Sequence, residues 1–118
     1  CKVDPIDDTH FCSMKKDDIT IAIMTNGVNI IVGEEHYPET IAIVRIDKNT
    51  PFKSLSSGIF SIEDSAKIIK EMSNGSQIVT RYQRWPHKAN IDKTFDLYEL
   101  EVAIEILNNI YSSINTNI

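Results

Sequence analysis

The sequence is poor in several residue types and motifs, and each shortage argues against a class of function. Its 118 residues include only four glycines and two cysteines. The glycines lie beside expected turns, which leaves none for a glycine-rich phosphate loop. The G-x-S-x-G, H-E-x-x-H and P-loop motifs do not occur. No apolar run approaches the roughly 20 residues needed to cross a bilayer. We therefore expect no transmembrane segment and no enzymatic activity.

Basic residues are also in deficit, because 12 Lys and Arg stand against 17 Asp and Glu, giving a net charge of -5. Binding to nucleic acid needs a basic surface, so we predict no nucleic-acid partner. The three histidines, His10, His36 and His87, lie in separate polar segments. A zinc site needs at least three convergent ligands. We therefore predict no metal site and no cofactor.

The two cysteines are Cys1 and Cys12. The chain begins with a cysteine and not with methionine, which indicates a mature protein whose signal peptide was removed. A disulfide between Cys1 and Cys12 would indicate an oxidising compartment, and we predict a periplasmic location. In the alternative interpretation Cys1 carries a lipid and Cys12 stays free, which would also place the protein outside the cytoplasm.

The residue pattern predicts one domain over residues 1–118 that begins with β-strands. Alternating isoleucines in "DITIAIMTNGVNIIVGEE" predict a strand, and Asn26-Gly27 favours a tight hairpin turn before a return strand over Val28–Val32. The segment Thr40–Asp47 is apolar on both faces, which is typical of a central strand. A further strand is expected over Gln77–Trp85.

Two segments change to helical periodicity. The first helix is expected over about residues 62–74, with Ser61 and Asp64 in the pattern of a capping box and Asn74-Gly75 as the end. The second is expected over about residues 97–114, where apolar residues recur on one face after Asp96. Two helices against an antiparallel sheet place the chain in the α+β class.

The segment "SQIVTRYQRWPHK" gathers basic residues and the only tryptophan of an acidic chain. If Gln77–Trp85 is a strand, its basic residues fall on both faces, so we expect an edge strand or one that extends past the sheet. In one interpretation the basic residues protect an exposed edge and Trp85 packs into the core. In the other the segment is a binding surface, because Trp, Tyr and Arg dominate interface hot spots. The candidate partner-binding residues are Arg81, Tyr82, Arg84, Trp85, His87 and Lys88.

The acidic segment "GEEHYPET" is a second candidate surface, which would suit a basic partner. Its candidate partner-binding residues are Glu34, Glu35, His36, Tyr37 and Glu39.

The chain length, the pair Cys1 and Cys12, the missing catalytic motifs and the Asn-, Ile- and Lys-rich composition resemble periplasmic inhibitors and immunity proteins of the pesticin immunity type. This resemblance implies binding to a protein toxin with muramidase activity, which degrades peptidoglycan, and protection of the producing cell. The expected mechanism is occlusion of the toxin's cleft, with cations of this chain opposite its catalytic carboxylates.

A second resemblance is local. The order of "VRIDKNTPF", "FSIEDSAKIIKEMSNGSQIVTR" and "DLYELEVAI" is similar to secreted domains of the invasion-associated locus B type. This resemblance implies a two-layer β-sandwich and a secreted interaction domain that binds an envelope or host component. It does not conflict with an immunity role, because a fold does not fix a function.

Overall fold

The computed structural model describes residues 1–116 and contains eight strands and two helices in that range. The strands are β1 (Lys2–Val3), β2 (His10–Lys16), β3 (Ile19–Met24), β4 (Gly27–Val32), β5 (Ile41–Ile46), β6 (Phe52–Ser56), β7 (Gln77–Arg84) and β8 (Ala89–Asp96). The helices are α1 (Ile62–Met72) and α2 (Leu97–Thr116). The predicted α+β class and both predicted helices are confirmed. No helix in the described range is long and apolar enough to cross a membrane.

The strands form two antiparallel sheets, one in the order β1-β2-β3-β4 and the other in the order β6-β5-β7-β8. This sandwich-like arrangement agrees with the two-layer expectation. The predicted hairpin joins β3 to β4, but the turn lies one residue earlier than Asn26-Gly27: Met24 pairs with Gly27, so Thr25 and Asn26 form the turn and Gly27 begins β4. Helix α1 packs mainly on β4, and α2 packs mainly on β2.

The core is a single cluster to which both sheets and both helices contribute. In β3 the alternation of the sequence is reproduced, since Ile19, Ile21 and Ile23 are buried while the residues between them are half-buried. Helix α1 begins at the predicted cap, where the Ser61 hydroxyl accepts a hydrogen bond from the Asp64 N–H at 3.0 Å. The helices therefore cover the apolar faces that the strands alone would leave open to water.

A disulfide joins Cys1 to Cys12, as predicted. Cys12 is fully buried in the core, so the bond fixes the start of the chain against β2. In the chain-entropy model, closing a ring of this size stabilises the fold by about 3 kcal/mol. The lipid alternative required Cys12 to be free, which differs from the disulfide in the structure.

The first alternative for Gln77–Trp85, an edge strand, was wrong, because β7 lies between β5 and β8. The second alternative, a strand that extends past the sheet, holds on one side, since β7 continues to Arg84 while its pairing with β5 ends at Arg81. The edge strands of this sheet are β6 and β8. The sequence did not predict β8, because most of its residues are polar and exposed. Strand β7 accommodates basic residues between two neighbours because Ile78, Thr80 and Tyr82 face the core while Arg81 faces solvent.

Replacing Ser65 with alanine should destabilise the fold. Its hydroxyl accepts a hydrogen bond from the Ile30 N–H at 2.9 Å, and the residue is fully buried between α1 and β4. Ser65→Ala leaves that amide without a partner, so we expect a loss of about 1–3 kcal/mol in the free energy of unfolding, measured by urea denaturation. Ser73→Ala, at an exposed position, is the control and should change the free energy by about 0.5 kcal/mol or less. Equal losses in both variants would contradict the role of Ser65.

Candidate functional site

The two surfaces predicted from separate parts of the sequence lie together at one end of the second sheet. The pairing of β7 with β5 ends at Arg81, and the segment 35–37 then takes the position beside β7. The Tyr37 N–H donates to the Gln83 carbonyl at 2.8 Å, and the Trp85 N–H donates to the Glu35 carbonyl at 2.8 Å. His36 forms an antiparallel bridge with Arg84. The loop after β4 is thus fixed to β7 by backbone hydrogen bonds.

The loop starts at Gly33, which lies against the ring of Tyr82. A Cβ atom at this position would lie 2.5 Å from Cγ of Tyr82, and the residue has a φ of +83°. Both facts require glycine here, because any side chain would collide with the ring and strain the backbone. Gly33 therefore sets how closely the loop approaches β7.

Tyr82, a predicted partner-binding residue, lies in the core and is only 1% exposed. Burial raises the pKa of its hydroxyl, with a further contribution from the charge of Asp18. The ring of His36 is half-buried and lies 5.3 Å from the Tyr82 ring, measured between centroids. Its Nε2 lies 2.6 Å from the Val32 carbonyl oxygen. Tyr82 and His36 therefore pack on the inner side of the loop after β4. The Tyr82 side chain is buried and does not lie on the surface.

Trp85 stands on the surface with 56% of its area exposed. Its ring packs against Tyr37, with 5.6 Å between the ring centroids and 31° between the planes. Nζ of Lys88 lies 5.7 Å from the centroid of the Tyr37 ring, within the range of a cation–π contact. The interpretation that placed Trp85 in the core is therefore wrong. We call Glu35, Tyr37, Arg84, Trp85 and Lys88 the tip cluster.

An ion pair crosses the tip cluster. Nη2 of Arg84 lies 3.0 Å from Oε2 of Glu35, and Nε lies 3.3 Å from the same oxygen. Beside them, Nζ of Lys15 lies 2.8 Å from Oε2 of Glu34, and this hydrogen bond lowers the pKa of Glu34. The acidic loop and the basic segment thus neutralise one another in part, and they do not present two surfaces of opposite sign.

Arg81 lies apart from the tip cluster, because alternation along β7 turns it to the other face of the sheet from Tyr82. It donates two hydrogen bonds to Asp92 on β8, at 2.8 Å and 2.7 Å. These bonds lower the pKa of Asp92. Arg81 also borders a shallow groove of about 320 Å³ on the outer face of the second sheet. The groove is lined by Ile43, Arg45, Pro51, Lys53, Val79 and Arg81.

The remaining predicted residues surround the tip cluster without a side-chain ion pair in the described part of the chain. His87 is exposed in the turn between β7 and β8, and Glu39 is exposed in the loop before β5. In residues 1–116, no group of three or more His, Cys, Asp and Glu side chains is placed to hold a metal ion.

Comparisons of the chain with protein-family models, with curated proteins and with solved structures found no match. Neither of the two resemblances seen in the sequence is supported by such a match.

Because Trp85 is the only tryptophan, its fluorescence reports directly on the tip cluster. Tyr37 covers one side of its ring, so Tyr37→Ala should make Trp85 more accessible to acrylamide and raise the Stern–Volmer quenching constant. Tyr98→Ala, which removes a 72% exposed tyrosine from α2, is the control and should leave the constant unchanged. An unaltered constant in Tyr37→Ala would show that the two rings do not pack together in solution.

The ion pair of Arg81 and Asp92 should give a small stability that depends on pH. The folded protein lowers the pKa of Asp92, so the stabilisation is present above the unfolded-state pKa of about 3.9 and is lost as the pH falls through the folded-state value. Because both side chains are about half exposed, Asp92→Asn should cost less than about 1 kcal/mol at pH 7.

A double-mutant cycle with Arg81→Gln isolates this pair from other effects of each change. Urea denaturation at pH 7 should give a coupling energy that vanishes in strong acid, where Asp92 is protonated in both states. A coupling energy that stays constant across this pH range would contradict the assignment.

Proposed function

We propose that the chain is a periplasmic immunity protein that binds and inhibits a muramidase-type bacteriocin and so protects the producing cell. The observation that carries the proposal is the exposed Trp85 packed against the half-buried Tyr37, with both held at one end of the sheet by backbone hydrogen bonds. Aromatic residues on a rigid backbone dominate protein interfaces, because they bury a large area and lose few rotamers on binding.

The shape of this end supports insertion into a cleft. The turn from Trp85 to Lys88 is exposed throughout and joins two paired strands. Glycoside hydrolases that cleave peptidoglycan act with two carboxylates on either side of the scissile bond. A protruding aromatic turn placed between those carboxylates would exclude the polysaccharide substrate without any chemistry by this chain.

The electrostatic part of the mechanism differs from the expectation drawn from the sequence. Arg81 and Arg84 are already paired with Asp92 and Glu35, so their charge is not fully available to a partner. Lys88 makes no ion pair within residues 1–116 and lies over the Tyr37 ring. We therefore assign to Lys88 the contact with a carboxylate of the toxin, and to the aromatic pair the larger share of the binding energy.

The decisive experiment is an inhibition assay with a lysozyme-fold bacteriocin and purified peptidoglycan. The wild-type chain should stop hydrolysis at a stoichiometric ratio. Trp85→Ala should weaken binding, measured by calorimetry, by at least about 2 kcal/mol, or roughly 30-fold. Leu55→Ala is the matched control, because Leu55 is a large apolar residue that is 62% exposed on β6, and it should bind as the wild type does.

The results of this assay test the immunity function and the assignment of the tip cluster as the binding site separately. Full hydrolysis in the presence of excess wild-type chain would overturn the immunity function, and binding to an envelope or host fraction would then favour the secreted interaction domain. Inhibition that survives in Trp85→Ala, with its fold intact by circular dichroism, would overturn the tip cluster as the binding site and leave the function standing.

A further inference from the structure

Helix α2 carries a second apolar surface in addition to the one that faces the core. Four large apolar side chains recur every four residues along it and remain exposed. They are Tyr98 (72% exposed), Val102 (41%), Ile106 (54%) and Ile110 (46%). We call these four residues the α2 ridge. Because the core is contacted by a different set that includes Leu100 and Leu107, α2 is apolar on two sides, which is typical of a helix with a further partner.

A recess lies directly beside the α2 ridge. It has a volume of about 300 Å³ and is lined by Ser13, Met14, Ala103, Ile106, Leu107 and Ile110. Ile106 and Ile110 belong to both the α2 ridge and the recess, so projecting side chains and a shallow, open recess of the same apolar chemistry share one face. Such a face can be complementary to itself across a two-fold axis, where the projection of each copy enters the recess of the other.

The charges of α2 select the direction in which two copies could pack. Its acids, Glu99, Glu101 and Glu105, all lie in the first half, and residues 106–116 carry no charged side chain. Glu99 is paired with Lys16 of β2, so Glu101 and Glu105 are the acids of α2 without a basic partner in residues 1–116. Parallel packing would place these two acids of one copy opposite those of the other. Antiparallel packing places them beside the uncharged half of the partner helix, which avoids this repulsion.

The same charges argue against a membrane as the occupant of this face. Amphipathic helices that lie on lipid surfaces are rich in Lys and Arg, which attract anionic headgroups. Helix α2 contains neither residue. Of its three acids only Glu99 has a basic partner in residues 1–116, Lys16, so Glu101 and Glu105 would be repelled by such a surface.

The size of the surface sets the expected strength of association. The α2 ridge runs from Tyr98 to Ile110, a length of about 18 Å at a rise of about 1.5 Å per residue. Two copies that also fill each other's recess would bury on the order of 1,000 Å², the lower end for a specific interface. We expect a reversible complex with a dissociation constant in the micromolar range.

We propose that the α2 ridge is the interface of a homodimer, in which the α2 helices of two copies pack antiparallel across a two-fold axis. This proposal is independent of the immunity function, because it involves none of the residues of the tip cluster.

Sedimentation velocity over a range from micromolar to millimolar protein tests the proposal. The wild-type chain should shift from monomer to dimer with increasing concentration, and Ile106→Glu should remain monomeric. Leu55→Glu is the control, since it places the same charge at another exposed apolar position, and it should dimerise as the wild type does. A wild-type chain that stays monomeric throughout, or an Ile106→Glu variant that still dimerises, would overturn the proposal.

Thiol cross-linking tests the antiparallel direction. Both native cysteines are used in the disulfide, so one introduced cysteine supplies the only free thiol. In antiparallel packing about the middle of the α2 ridge, the introduced thiols of two Ile106→Cys protomers lie close together. The introduced thiols of two Tyr98→Cys protomers are about 18 Å apart along the helix axis. A short bis-maleimide should therefore link Ile106→Cys into a dimer and leave Tyr98→Cys monomeric. Equal linking of both variants would overturn the antiparallel arrangement.

Discussion

The backbone pairing of residues 35–37 with the end of β7 is the interaction on which the candidate site depends. Strand β5 stops short of Gln83 and Arg84, and the loop after β4 supplies the hydrogen bonds that β5 does not. The close approach is allowed by Gly33, which lies on the ring of the buried Tyr82. Trp85 can therefore remain exposed and still have a fixed position, because its surroundings are held by the main chain.

The acidic composition determines how the few cations are used. Lys15, Arg84 and Lys93 pair with acids on other elements, and Lys16 pairs with Glu99 on α2. Each exposed ion pair of this kind contributes little to the free energy of unfolding. Each pair nevertheless neutralises a charge that would otherwise be available to a binding partner. The basic segment thus loses much of its charge within the folded chain, because Arg81 and Arg84 are paired with Asp92 and Glu35.

The elements that depend on neighbouring residues could be predicted from the sequence. The β3–β4 hairpin and the cap at Ser61 are encoded within a few residues, so both follow from local chemistry, although the hairpin turn lies one residue earlier than the Asn26-Gly27 pair predicts. Strand β8 could not be predicted, because an edge strand with one weakly apolar face has little periodicity. The contact between the acidic loop and the basic segment could not be predicted either, because it depends on the strand order of the second sheet.

Arg84 and Glu35 are separated by 49 positions in the sequence, yet their contact joins the two halves of the tip cluster. The surface formed by the tip cluster is thus discontinuous in the sequence and exists only when the sheet is assembled. A linear peptide with the sequence of either segment would contain the same residues but not their arrangement in the folded chain. A binder raised against the native protein at this end should consequently fail to recognise the denatured chain on a blot.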